Sequence, residues 1–110
     1  MTERESELTL KSKSPIAATA IEATVALCRE FLFPRKEFEA AEILLLERVG
    51  IQGSTFGYIL ELYLGELYIS MNEISRAKRF LEYASSSADD SIREHAKELL
   101  KSLESASEQA

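Results

Sequence analysis

Few side chains in this sequence could carry out chemistry, and their spacing does not combine them into a catalytic set. His95 lies in a charged segment and is the sole histidine, so we interpret it as a surface or half-buried residue rather than an acid–base catalyst. Cys28 lies in an apolar segment, where a cysteine is usually a small buried hydrophobe. Glu61 and Glu66 are five residues apart and share a helix face poorly, which argues against a carboxylate pair. We therefore predict that the protein is not an enzyme.

The sequence also lacks the patterns that hold nucleotides and metal ions. Its four glycines are not arranged as a phosphate-binding loop with a following Lys and Ser or Thr. A metal site needs several His, Cys or clustered acidic residues, and the pair Asp89-Asp90 is explained as a helix cap. The single cysteine excludes an internal disulfide and favours a reducing compartment. We predict no cofactor and no metal ion.

Composition and charge favour one helical domain that does not bind nucleic acid. With 110 residues the chain fits one domain, and 45% hydrophobic with 29% charged residues is a globular composition. Four Gly, two Pro and no Trp are few for an all-β protein, so the class expected is all-α. The net charge of -6 is the wrong sign for binding phosphates, which makes nucleic acid a poor partner.

Neither the start of the sequence nor its most apolar run has the pattern expected of a targeting or membrane segment. The start, MTERESELTLKSKS, has no apolar segment, which argues against a secretory signal. The run from Phe56 to Met71 holds sixteen residues, including two glutamates, whereas a membrane span needs about 20. We predict a cytoplasmic protein without a membrane span, whose partner is another protein or a second copy of itself.

Hydrophobic periodicity and helix-capping residues predict the secondary structure of the chain. Residues 1–13 are polar and lack periodicity, so we predict a mobile tail. A single helical domain should follow over residues 14–106, beginning at Ser14-Pro15, with a frayed end at 107–110. The first three predicted helices cover about residues 14–33, 35–48 and 56–70. A fourth follows a reset of the periodicity near Asn72, with Ile74, Ala77, Leu81 and Ala84 on one face, and ends at Ser85. A fifth carries an apolar stripe from Ile92 to Ala106.

Caps and loops define the predicted helix ends. Gly50 should cap the second helix, and Ser54 or Thr55 should open the third. Ser91 and Glu94 have the spacing of a capping box for the fifth helix.

Helices three and four carry a spaced pattern of small and bulky residues. Leu64-Gly65 is followed three residues after the glycine by Tyr68, and Ala77 comes twelve residues after the glycine. Leu81 and Ala84 then follow Ala77 at four and seven residues. This pattern resembles the tetratricopeptide repeat over residues 58–91. A degenerate copy covers about residues 22–49, with a separation of 36 residues rather than about 34.

The resemblance implies antiparallel helical hairpins of the α-solenoid type, with the fifth helix as a C-terminal cap. Small residues would let paired helices approach, and bulky ones would fill the layer between them. The implied packing residues are Leu64, Gly65, Tyr68, Ala77, Leu81, Ala84, Ala41 and Leu45. The family binds peptides or helices on the concave surface. The implied partner-binding residues are Ile59, Leu62, Glu66, Ile69, Ser70, Ala26, Glu30 and Phe33. The other interpretation is that they form a core closed by the chain's own first and fifth helices.

The function predicted from this resemblance is an adaptor or chaperone that binds a partner helix or peptide in an apolar groove without doing chemistry. One alternative is a small acidic chaperone for a needle or other secreted subunit of a type III secretion system. Another is a fixed subunit of a larger complex whose groove is permanently filled. A small enzyme is the least supported alternative, because no constellation of residues favours it.

Overall fold

The computed structural model describes residues 2–52 and 57–109, with side chains for residues 2–49 and 57–105. All regular structure in these residues is helical, which confirms the predicted all-α class. The described residues form six α-helices rather than about five. They are α1 (Glu3–Ser12), α2 (Ala17–Leu27), α3 (Phe38–Gln52), α4 (Ile59–Ser70), α5 (Ile74–Ala84) and α6 (Asp90–Gln109). They divide between two compact units, Met1–Gln52 and Gly53–Ala110, where a single domain over 14–106 is predicted.

Helix α1 lies where a mobile tail is predicted, so that prediction is wrong for residues 3–12. The Thr2 hydroxyl caps the helix by accepting from the Glu5 amide at 3.1 Å. Glu7 and Lys11 form an ion pair one turn apart at 2.8 Å. Leu8 is buried against α2, where small side chains allow a close approach. The contact of Leu8 with α2 therefore packs a helix whose sequence is mostly polar.

Helix α2 starts later and ends earlier than predicted. The Ser14 hydroxyl accepts from the Ile16 amide at 3.1 Å, and the helix begins at Ala17 rather than at Ser14. After Leu27 the chain widens into a π-helical turn over Cys28–Leu32, in which the Phe33 amide donates to the Cys28 carbonyl. Pro34 follows this turn, has no N–H and conflicts with the carbonyl four residues earlier, so the regular helix cannot continue.

Helix α3 completes the first unit and packs against α2 and the π-helical turn. It runs over Phe38–Gln52, later than the predicted 35–48. Gly50 lies inside the helix and does not cap it, so the predicted C-terminal cap is wrong. The predicted opening of the next helix at Ser54 or Thr55 lies outside the described residues.

Helices α4 and α5 form an antiparallel hairpin in the second unit. The turn places Asn72 in the left-handed region at φ 59°, and the Glu73 amide donates to the Tyr68 carbonyl at 2.8 Å. This six-to-one bond satisfies a helix-end carbonyl that would otherwise be unpaired. Gly65 lies against Leu81 across the hairpin, and a Cβ at this glycine would come within 2.6 Å of the Leu81 Cγ. The bare glycine therefore sets how closely these helices approach.

Helix α6 packs mainly on α5. Its first turn is capped by Asp89, whose Oδ1 accepts from the Ile92 amide at 3.1 Å. This bond confirms the helix cap predicted at Asp89, whereas the capping box predicted at Ser91 and Glu94 is wrong because both residues lie inside the helix. The helix extends to Gln109, so most of the predicted frayed end is helical, and Ala110 lies outside the described residues.

Candidate partner-binding groove

Cys28 is fully buried in the π-helical turn of the first unit. Burial raises the pKa of its thiol to about 12, because the thiolate would have to form away from water. The thiolate is the nucleophilic form of cysteine, and it is essentially absent at neutral pH. This side chain packs as a small hydrophobe and does not form a reactive site.

Glu66 and His95 meet in the second unit, with 3.3 Å between Oε1 of the carboxylate and Nε2 of the imidazole. Burial raises the pKa of Glu66, and the nearby His95 opposes that shift. Glu61 is more deeply buried, at 5% exposure, and burial raises its pKa as well. A half-exposed Glu–His contact of this kind can tie α6 to α4, and it gives no nucleophile for covalent chemistry.

A metal site and a membrane-spanning helix each require a feature that the described residues do not show. No group of three or more His, Cys, Asp or Glu side chains is placed to hold a metal ion there. None of the helices in the described ranges combines the length and the apolarity that a membrane crossing requires.

The partner-binding residues predicted on α4 have mixed environments. Leu62 is 4% exposed and packs inside the second unit. Ile59, Glu66 and Ile69 are half-buried, and Ser70 is exposed with its hydroxyl donating to the Glu66 carbonyl at 3.2 Å. Helix α6 reaches this face through the Glu66–His95 contact. The face is therefore partly covered by the chain itself.

The partner-binding residues predicted in the first unit lie beside α1. Ala26 is buried in a cluster with Leu8 of α1. The carboxylate of Glu30 accepts two hydrogen bonds from the guanidinium of Arg4, at 3.3 and 3.0 Å. Phe33 is half-buried. The helix that sequence reasoning missed thus covers much of the surface assigned to a partner.

All eight residues predicted to pack the repeats are buried. Seven of them are 2% exposed or less, namely Leu64, Tyr68, Ala77, Leu81, Ala84, Ala41 and Leu45. Tyr68 also stacks on Phe80 with 5.7 Å between the ring centroids. Burial of the six that lie on α4 and α5 accounts for the tight hairpin of these two helices.

An open apolar groove of about 400 Å³ lies in the first unit. Its walls come from α1, the end of α2, the π-helical turn and α3. The apolar lining residues are Leu27, Leu32, Ala40, Ile43 and Leu44. Ile43 is 61% exposed, so one wall of the groove is accessible from solvent. The groove is therefore an apolar surface that solvent can reach.

Glu5 brings a charge to the α1 wall of this groove. It is 7% exposed, and its Oε2 accepts from Nη1 of Arg35 at 2.8 Å. That hydrogen bond lowers the pKa of Glu5, so its carboxylate is ionised at neutral pH. Its second oxygen, Oε1, is buried and has no hydrogen-bond partner among the described residues. The other polar lining residues are Thr9, Ser12, Lys13 and Glu47.

The groove was not predicted from the sequence because α1 forms one of its walls and was expected to be a mobile tail. The apolar residues Ile43, Leu44, Leu45 and Leu46 in one run of α3 were the available signal. Four consecutive apolar residues cannot all face one core from a helix, so part of such a run must face elsewhere.

Comparison of the chain with protein-family models, curated proteins and solved structures found no match.

Proposed function

We propose that this chain is a non-catalytic protein-interaction module that binds an amphipathic helix of another protein. The observation that carries the proposal is the open groove of about 400 Å³ in the first unit. An apolar groove between helices is a recurrent binding surface for the apolar face of a partner helix. Ile43, exposed by 61% beside it, would lose contact with water on binding.

The resemblance of residues 58–91 to the tetratricopeptide repeat supports the same class of function. Repeats of this type serve protein binding, and adaptors and chaperones are the roles that we propose on that ground. The buried free thiol of Cys28 fits a reducing compartment, so we place this role in the cytoplasm.

The test uses site-specific photocrosslinking in the full chain. A benzoylphenylalanine placed at Ile43 should crosslink to one protein in near-equimolar amount, identified by mass spectrometry. The matched control is the same group at Leu10, which is 74% exposed on α1 and does not line the groove.

Substitution then separates specific binding from a general loss of structure. Ile43→Glu should abolish binding of the crosslinked partner, because a charge would enter the apolar contact. Leu10→Glu should leave binding and helicity unchanged. Equal crosslinking at the two positions, or equal loss of binding in the two variants, would contradict the proposal.

A further inference from the structure

Helix α1 is attached to the first unit through little apolar area. All of its residues are described, and one of its two leucines, Leu8, is buried while Leu10 is 74% exposed. Ser12 is also buried, but its hydroxyl donates to the Thr9 carbonyl of the same helix at 2.7 Å. A segment with few buried apolar contacts opens locally at a lower free energy than the core beside it.

Two ion pairs orient the first half of α1 on the segment that follows α2. The guanidinium of Arg4 donates to both carboxylate oxygens of Glu30, at 3.3 and 3.0 Å. Nη1 of Arg35 donates to Oε2 of Glu5 at 2.8 Å. The Arg4 and Glu30 side chains are 54% and 33% exposed, so their pair contributes little to stability and is weakened by salt. The two pairs therefore specify the register of α1 on this surface more than they hold it there.

The surface under α1 adjoins the groove. Leu8 packs in a cluster with Ala23, Ala26 and Leu27, and Leu44 packs against that cluster. Leu27 and Leu44 also line the groove. The site of Leu8 and the groove are therefore neighbouring parts of one apolar surface, of which α1 covers the part on α2.

We propose that α1 is a displaceable strap over a helix-binding seat, and that the partner helix replaces it there. The seat consists of Ala23, Ala26 and Leu27, with Glu30 and Arg35 at one end. Its charges define the partner by complementarity, since the acid receives a basic side chain and the base receives an acidic one. The partner helix carries a basic residue, an acidic residue next to it and a leucine three residues further on, which is the pattern of α1 itself.

This inference rests on the proposed function, and it adds the sequence pattern of the partner helix and the event that admits it. A partner that enters the groove reaches the seat when α1 opens. Local opening of this kind regulates binding, because only the open fraction of the protein is competent to bind at the seat.

The first measurement is native-state hydrogen exchange of the full chain without denaturant, followed by NMR. Protection factors in α1 should be at least about tenfold lower than in α2, because α1 opens while α2 stays folded. Raising the NaCl concentration to about 0.5 M should lower protection in α1 further, since it screens the Arg4–Glu30 pair, and should leave α5 in the second unit unchanged. Equal protection in α1 and α2 would mean that α1 opens only when the unit unfolds, and would overturn the strap.

The second measurement supplies the strap as a separate peptide. A fluorescent peptide of residues 2–14 is titrated with the full chain, and binding is followed by fluorescence anisotropy. Leu8→Glu removes the apolar contact of the tethered strap, which otherwise competes at a high effective concentration. This variant should bind the peptide at least about tenfold more tightly than the wild type. Leu10→Glu is the matched control and should bind like the wild type, because Leu10 is exposed.

An exchange of charges assigns peptide binding to the seat. A peptide with Arg4→Glu and Glu5→Arg should bind the Leu8→Glu variant at least about tenfold more weakly, because like charges then meet across the contact. Adding Glu30→Arg and Arg35→Glu to the protein should restore binding of this peptide. Lack of restoration would overturn the partner pattern.

The outcomes separate the strap from the proposed function. If the Leu8→Glu variant stays helical in α2 and α3 and does not bind the peptide, the strap is overturned and α1 is a fixed wall of the groove. If this variant unfolds, the exchange data on the wild type decide alone. A wild-type dimer in light scattering that Leu8→Glu abolishes would make a second copy the occupant and overturn the separate partner. Failure of the photocrosslink at Ile43 would overturn the proposed function and would not alter the protection factors of α1.

Discussion

Gly65 lies at the crossing of α4 and α5, and its replacement by alanine is the sharpest test of that packing. The new Cβ would lie within 2.6 Å of the Leu81 Cγ and closer still to Cδ2, whereas carbon atoms in contact prefer about 3.5–4.0 Å. Leu81 is fully buried, so it has no solvent-filled space into which it could move. The helices or the leucine must therefore shift.

Two effects of opposite sign determine the result. Overpacking a core with one methyl group costs about 1–3 kcal/mol. Alanine gains about 1 kcal/mol over glycine within a helix. Gly65→Ala should therefore lower the free energy of unfolding by about 0–2 kcal/mol. In a Leu81→Ala background the clash disappears, and the same substitution should raise the free energy of unfolding by about 1 kcal/mol.

The assay is urea unfolding of the four proteins of this double-mutant cycle, followed by far-UV circular dichroism. Leu81→Ala alone should cost about 2–5 kcal/mol, which sets the range of urea needed. The expected coupling between the two sites is about 1–3 kcal/mol. The reasoning is refuted if Gly65→Ala has the same effect in both backgrounds, because the contact with Leu81 would then contribute nothing.

Three further predictions follow from burial. Leu8→Ala should cost about 2–5 kcal/mol in urea unfolding, because Leu8 is 4% exposed between α1 and α2. Glu61→Gln should raise the melting temperature at neutral pH, because burial holds the pKa of Glu61 above its unfolded value and disfavours the carboxylate. The stability that protonated Glu61 contributes is present below its unfolded pKa and is lost as pH rises through its folded pKa. Cys28 should react with a thiol reagent only as the protein unfolds in urea, because its pKa is about 12 and it is fully buried.

Each of these predictions has a control and a contrary outcome. Leu10→Ala, at a side chain 74% exposed, should change stability little; a cost equal to that of Leu8→Ala would show that α1 packs differently. If Glu61→Gln lowers the melting temperature at neutral pH, the carboxylate has a stabilising partner. Labelling of Cys28 at the same rate with and without urea would show that the π-helical turn opens in the native protein.

The α4–α5 hairpin was predictable because its signals are local. The third helix was expected over about residues 56–70 and lies over Ile59–Ser70. The fourth was expected to follow Asn72 and to end at Ser85, and it lies over Ile74–Ala84. Apolar residues three or four positions apart report one face of a helix whatever lies elsewhere in the chain. The positions of Ala77 and Leu81 on one face follow from that period alone.

Helix α1 was not predictable by the same reasoning. Its three glutamates and single deeply buried leucine look like a solvated segment, and Leu10 is 74% exposed. What holds it lies far away in sequence, since Arg35 contacts Glu5 across thirty residues and the small side chains of α2 receive Leu8. Sequence patterns were read over a few neighbouring residues, so they could not include both Glu5 and Arg35.

The sequence alone determined the all-α class and the period of the apolar faces, because both depend on residues within a few positions of one another. It also shows that few side chains could carry out chemistry. The groove was decided by the tertiary structure. The unpaired oxygen of Glu5 and the exposed wall at Ile43 exist because α1 and α3 line the same space, and burial of a polar atom is a property of the packed chain. Tertiary packing therefore places a glutamate from a polar segment as a buried charge in the wall of an apolar groove.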